Sequence, residues 1–545
     1  MTVVPRVVLS APSSGHGTGA LSLGLLAALA DRGLDVAGFK IGPDQVDAAY
    51  LGLAAGRPGR VLDPRLVGPE RIAPLFAHGA SGAGFALVQG TMGLYDSISG
   101  HPETESTAAV ATALRSPVVL VVDVAAMGQS VAALVHGFRA YDEQLWLGGV
   151  ILNRVASPRH EAMLREALDD VGVPVYGALR RHELPPVLPA RRHGMVPVVQ
   201  RDPEAERAVR RLGEAVTATV DLDRLLALAG SAPELTVTPW SPQPTGAASN
   251  GAPPAGAASD GSPPAGAASN GAAPGGTAPG GAAPTAAAAD GAAPGGTTPD
   301  GAASNGAAPG GMTPDGAAPT AAADTGTVPG GTTSGRAAPA GERPVVALAG
   351  GPGGSYSHPE TAELLRAAGA EVVIVDPLRD EALPAGTRAL VVGGGLPETY
   401  AERLSANRRL CIAVAELART GRPVIAEGAG LLWLARELDG LPMCGVLDAV
   451  GASRDGLVIG YRAATARTDS VVAPAGATVV GHKQHAAVLT PRAGERAAWS
   501  WEGGSPEGFV WRGVHASQLV PHWAAYPEIA ARLVAAALVP AEATA

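Results

Sequence analysis

The chain has 545 residues, and its 73 glycines and 48 prolines make up more than a fifth of it, against roughly 12% in average usage. That proportion rules out a single globular fold, while a formal net charge of −10 with no basic run argues against nucleic acid as a partner. No apolar run reaches the roughly 18 residues of a membrane span, because Asp123 interrupts the stretch from Val118 to Val124.

From the N-terminus, Arg6-Val-Val-Leu9 reads as a buried strand, Ser10 to Gly19 as a small-residue loop and Ala20 to Arg32 as a helix. Strand, glycine loop and helix form a layout that cradles phosphate, because loop N–H groups and the positive end of the helix favour an anion. Arg6 and the apolar run after it imitate a secretory signal, but the loop separates them, and two cysteines without a metal-ligand pattern fit a reducing cytoplasm. Strand-like runs follow at Val36 to Lys40, Phe85 to Gln89, Val118 to Asp123, Val150 to Asn153 and Val175 to Leu179, with helix-like segments between most of them. Such alternation implies an open parallel sheet covered by helices. Ligands on such sheets bind beyond the carboxyl ends of the strands, where this chain places Lys40, Asp44, Asp47, Gln89 and Asp123. Lys40 stands out, since Lys483 is the only other lysine.

Most of the glycine and proline excess lies between Pro239 and Gly341, where repeats such as Gly246-Ala-Ala-Ser-Asn250 recur without the apolar content of a core. Residues 237–342 are therefore expected to be a disordered linker, between a first domain at 1–236 and a second at 343–545. The second part alternates again, with strands at Val345 to Ala349, Glu371 to Val375 and Ala389 to Val392 and helices at Glu360 to Ala368 and Tyr400 to Ala418. It reads as another open α/β sheet.

The segment Ala11-Pro-Ser-Ser-Gly-His-Gly17, followed by Phe39-Lys-Ile-Gly-Pro-Asp44, Asp47, Leu62-Asp63-Pro64, Met92-Gly93-Leu94 and Asn153-Arg154-Val155, resembles the cobyrinate or hydrogenobyrinate a,c-diamide synthase family. The Gly393-Gly-Gly-Leu-Pro-Glu398 turn, Pro442-Met-Cys-Gly-Val-Leu-Asp448 and Leu457-Val-Ile-Gly-Tyr-Arg462 resemble its class I glutaminase domain. The resemblance implies a two-domain amidotransferase of cobalamin biosynthesis, with a P-loop, dethiobiotin synthetase-like ATP domain and Mg2+. In that family ATP phosphorylates a corrin carboxylate, and ammonia from glutamine displaces the phosphate. It further implies that Gly15, Gly17, Thr18, Lys40 and Asn153 meet the nucleotide. Asp44, Asp47 and Asp63 would lie near metal and substrate, with Asp44 a weak metal ligand, and Gly394 and Gly395 would offer backbone donors to an oxyanion.

The same resemblance exposes departures. The family's loop continues Gly-Lys-Thr-Thr, whereas Thr18, Gly19 and Ala20 follow Gly17 here, and Gln89 replaces a carboxylate. A phosphate-binding ammonium, a metal-binding hydroxyl and a negative charge are lost together. At the nucleophile elbow, Ala426-Glu427-Gly428-Ala429-Gly430 stands where the family has Ala-Glu-Cys-Gly-Gly, and Val520 occupies the position of the histidine base. The expectation is a family member with impaired chemistry, which binds ATP weakly. Two function classes stay open: an ATP-dependent corrin amidase using free ammonia, and a non-catalytic corrinoid- or nucleotide-binding protein. Expected small-molecule partners are corrin acid and glutamine; an intact paralogous synthase and a second copy of the chain are the candidate protein partners, with neither nucleic acid nor membrane involved.

Overall fold

The computed structural model describes residues 4–184, 203–243, 343–351, 357–395, 397–454 and 456–540, together with the backbone of 190–191 and 194–195. The first half is a seven-stranded sheet of β1 (Arg6–Ser10), β2 (Val36–Ile41), β3 (Arg60–Leu62), β4 (Phe85–Gln89), β5 (Val118–Asp123), β6 (Leu147–Val155) and β7 (Val175–Arg180). Its order is β3-β2-β4-β1-β5-β6-β7, and every pairing is parallel. Helices cover both faces, so the strands are apolar throughout rather than alternating, as Val-Val-Leu in β1 and Val-Val-Leu-Val-Val in β5 show.

The helix expected from Ala20 begins two residues earlier, as α1 (Thr18–Asp31), because Gly17 at φ 90° turns the chain directly into it. Helix α1 is buried over most of its length, and a Cβ on Gly24 would lie 2.5 Å from Val216 Cγ2 and 2.7 Å from the Leu212 carbonyl of the helix Pro203–Thr219. Glycine is what lets these two helices approach. Arg6, the single basic residue of the signal-like N-terminus, is fully buried and donates to the carbonyls of Leu114 at 2.8 Å and Pro233 at 2.5 Å.

The second half is built on β8 (Val345–Ala349), β9 (Glu371–Val375), β10 (Thr387–Val392), β11 (Val424–Glu427), β12 (Phe509–Trp511) and β13 (Val514–Ser517), in the order β9-β8-β10-β11-β13-β12. All pairs are parallel except the β12–β13 hairpin at one edge. A separate antiparallel sheet carries the strands Val458–Ala466, Thr478–His485 and Val520–Pro521. The expected helix from Tyr400 to Ala418 is two helices, Ala401–Ala406 and Arg408–Arg419, broken at Asn407. Its amide donates to the carbonyls of Pro377 and Asp380 at 2.9 and 2.7 Å, which fixes the break.

Both halves belong to one compact unit. Val480 and Ala524 of the second half join the first half's core. The boundary expected at residue 236 falls short of the packed chain: Val237 packs on the first core, and Trp240 packs on cores of both halves, with its N–H on the Pro74 carbonyl at 2.9 Å. The remainder of the expected linker lies outside the described residues.

Candidate functional site

In the first half, the loop between β1 and α1 uses Gly15 at φ 93° and Gly17 at φ 90°, a region that disfavours a side chain. A Cβ on Gly17 would also lie 2.5 Å from Asn153 Nδ2, which itself donates to the His16 carbonyl at 2.8 Å. Asn153 therefore closes on the loop rather than standing apart from it. Thr18 is the first residue of α1.

Beyond the ends of β2 and β4, three of the expected residues meet. Asp47 Oδ2 lies 2.8 Å from Gln89 Nε2 and 3.1 Å from Lys40 Nζ, and Lys40 also donates to the Gly90 carbonyl at 2.8 Å. A Cβ on Gly19 would sit 3.7 Å from Gln89 Nε2, so the loop and this cluster share one space. Asp44 caps the helix Gln45–Ala55, its Oδ1 accepting from the backbone of Val46 and Asp47 at 2.9 and 3.0 Å. Burial, reinforced by the Asp47 carboxylate, pushes Asp44 up to about 6. Asp63 likewise caps the helix Pro64–Val67, and its other oxygen accepts the Tyr461 hydroxyl at 2.8 Å. Burial raises it to about 6 as well. Asp63, Thr91, Glu105 and Tyr461 line a cleft between the halves.

The donors of this cluster are poor ligands for magnesium. Among the described residues no three of His, Cys, Asp and Glu converge as metal ligands. Asp47 Oδ2 is already approached by an amide and an ammonium, and Gln89 adds no charge, so the residues present fit a divalent cation poorly.

In the second half, β11 ends at Glu427, and Gly428 takes φ 60° before a tight turn into the helix Leu431–Leu434. This is the strained strand-to-helix elbow, with no side chain on it. A Cβ on Gly428 would lie 3.0 Å from Val520 Cγ2 and 3.3 Å from Gly394 Cα. The structure thus brings Gly428, Val520 and Gly394 together, with Gly395 buried next in the chain. At Gly430 a Cβ would stand 2.1 Å from the Gly393 carbonyl, so the elbow and the glycine turn are pressed backbone to backbone.

The other titratable groups here are buried. Burial pushes Glu427 up to about 8, although its Oε1 accepts the Trp523 indole N–H at 2.8 Å. His482 and His485 are held at about 4 by burial, and His485 is paired with the Ala487 carbonyl at 2.8 Å. Cys411 and Cys444 are free thiols in the core, and Cys411 Sγ donates to the Leu404 carbonyl at 3.5 Å. Cys444 lies between the strands Leu441–Pro442 and Leu447–Ala452. Lys483 is buried over the Trp501 ring, 5.0 Å from its centroid.

Several residues that join or complete these regions were not singled out from sequence. Arg60 pairs with Glu360 and Glu363, each at 2.5 Å, and His78 pairs with Glu363 at 2.9 Å. Burial alone would raise Glu363, but His78 and Arg60 outweigh it and hold the carboxyl at about 2. His358 stacks on His522 at 3.9 Å and meets Gln45 at 3.1 Å. In the loop, His16 Nδ1 accepts the Asp123 N–H at 2.7 Å while Nε2 faces Ser13 Oγ at 3.2 Å. Tyr461 and His16 lie within motifs quoted from the sequence, so a signal existed for them. Arg60 and Glu360 are 300 positions apart, and nothing in the pattern joins them.

Residues 7–193 match the CobQ/CobB/MinD/ParA nucleotide binding domain family, and residues 356–523 match the CobB/CobQ-like glutamine amidotransferase domain family. The chain is 48% identical over 535 residues to hydrogenobyrinate a,c-diamide synthase of Streptomyces coelicolor, covering 98% of this chain and 97% of that protein. It is 39% identical over 545 residues to the protein of the same name from Thermobifida fusca, covering 98% and 97%. With cobyrinate a,c-diamide synthase of Syntrophotalea carbinolica it shares 32% identity over 508 residues, covering 91% and 89%. No helix among the described residues is long and apolar enough to cross a membrane.

Proposed function

Because the chain belongs to the family of hydrogenobyrinate and cobyrinate a,c-diamide synthases, we propose that it is a non-catalytic member that binds corrin acid and, weakly, nucleotide, and takes no ammonia from glutamine. The observation that carries this reading is Gly428. Attack on the glutamine amide carbon needs a thiolate at the elbow, and glycine offers no atom beyond its backbone. Neither remaining thiol substitutes, since Cys411 and Cys444 are packed in the core. Val520 adds a second loss at the same place: its methyl lies where a base would have to reach the nucleophile, and it carries no proton acceptor.

The first half is impaired by degrees rather than emptied. Lys40 remains, but it is tied to Asp47 and Gly90, and positions 18, 19 and 89 supply no second ammonium, metal-binding hydroxyl or carboxylate. Phosphoryl transfer depends on such groups to offset charge on the transferred phosphate. A role in the cytoplasm beside an intact paralogous synthase, as a corrinoid-binding partner, is part of this reading, and a fold retained without its chemistry supports it. The test is to incubate the protein with corrin acid and Mg-ATP, supplying glutamine in one arm and ammonium in another, and to analyse the corrin by mass spectrometry. Unchanged corrin in both arms is expected. Amide formed from glutamine would overturn the proposal, and amide formed only from ammonium would establish a synthetase without a glutaminase.

A further inference from the structure

The cluster of Lys40, Asp47 and Gln89 does more than lack a metal ligand. Gln89 Nε2 and Lys40 Nζ converge on the same oxygen of Asp47, at 2.8 and 3.1 Å. The amide orientation is dictated by chemistry, because the reverse orientation would set Gln89 Oε1 against the carboxylate with no hydrogen between them. Mg2+ binds oxygen at about 2.0–2.1 Å in a near-ideal octahedron. An ion at that distance from Asp47 Oδ2 would compete with both nitrogen donors, one of them a full positive charge. Lys40 is 5% exposed and anchored a second time by the Gly90 carbonyl, so it has no solvated position to retreat to. Gly19, whose missing side chain would face Gln89 Nε2, adds no oxygen. Asp44 has already committed Oδ1 to its helix cap. In the cluster an ammonium and an amide both donate to one carboxylate, and they occupy the place of a cation.

We infer that the first half takes a nucleotide as the free polyphosphate anion, without a divalent cation. This rests on the nucleotide binding of the reading above and is independent of the glutaminase loss. The experiment is calorimetric titration of the full chain with ATP, once in excess Mg2+ and once in EDTA, for the wild type and for Gln89→Glu, with thermal melting of each variant as the check on folding. For the wild type the two affinities should agree within about twofold. Gln89→Glu removes the amide donor and adds a carboxylate, so Mg2+ should then tighten ATP binding by about tenfold or more. Gln89→Leu, which removes the donor without adding an oxygen, should leave ATP binding indifferent to Mg2+ and covers the case of a glutamate variant that does not fold. Wild-type binding that Mg2+ tightens by about tenfold would overturn this inference and leave nucleotide binding standing. A folded Gln89→Glu variant still indifferent to Mg2+ would also overturn it. Absence of ATP binding under both conditions would overturn the inference and the nucleotide part of the proposed function together.

Discussion

The two candidate regions are held together in opposite ways. In the first half charged side chains are turned on one another: Gln89 and Lys40 both meet Asp47 Oδ2. In the second half backbone meets backbone: Gly428 takes φ 60° at an elbow that presents no side chain. Backbone geometry outlasts chemistry where it is enforced by packing, as the Gly430 approach to the Gly393 carbonyl enforces it. Side-chain chemistry has no such support, and one residue such as Gln89 sets the partner of its neighbour.

The comparison assumes that the two regions belong to one packed body, and Arg60→Ala is the strongest way to break that assumption. Glu360, 1% exposed, would lose its buried cation, and breaking such a pair costs about 3–5 kcal/mol. Calorimetric unfolding should show a large drop in melting temperature and separation into two transitions; a single transition within error of wild type would show that the seam is not what couples the halves. Gly430→Ala tests whether the elbow is held by packing. Its methyl cannot coexist with the Gly393 carbonyl at 2.1 Å, and the strain should cost about 3 kcal/mol by denaturant unfolding. A neutral result would mean that the elbow yields freely.

A subtler probe is the pH dependence of stability. Glu427 is raised from 4.5 to about 8 by burial, so the folded protein holds its proton more tightly than the unfolded chain does. The stability it contributes is full below 4.5 and is lost as pH rises through about 8. Glu427→Gln should flatten the decline of melting temperature across that window, and an unchanged slope would contradict the assignment. The histidines act at the other end: His522, lowered to about 3 by burial and by Arg60, contributes stability that is lost as pH falls from 6.5 through about 3. The smallest effect is expected from deleting residues 246–333, whose composition offers no aromatic residue to either core; the melting temperature should not move. A shift would mean that these residues take part in one of the two halves.

Much of this organisation could be read from the chain. Strands buried on both faces, such as Val118–Asp123, announce a parallel sheet by unbroken apolar runs, and the Gly428 and Val520 losses stand out against the motif around them. What the sequence concealed depends on contacts between distant positions. Trp240 sits among Pro233, Pro239, Pro242 and Pro244, where the sequence already reads as linker, and only the fold reveals that it lies against both cores. Asp44 and Asp63 were read as ligand-side residues, and only geometry shows that each also caps a helix. Gln89 was legible as a lost carboxylate; its hydrogen bond to Asp47 was not, because the two come from different elements 42 positions apart.

The most direct measurement of the central claim is glutamate release from glutamine by the purified wild-type chain, set beside Gly428→Cys and the double variant Gly428→Cys with Val520→His. No release above a heat-killed control is expected from the wild type, and little from Gly428→Cys, whose thiol would face Val520 without a base. Only the double variant should gain activity, because it returns nucleophile and base to positions that the structure holds together. Glutamate released by the wild type, and abolished by a substitution at the elbow, would contradict the account.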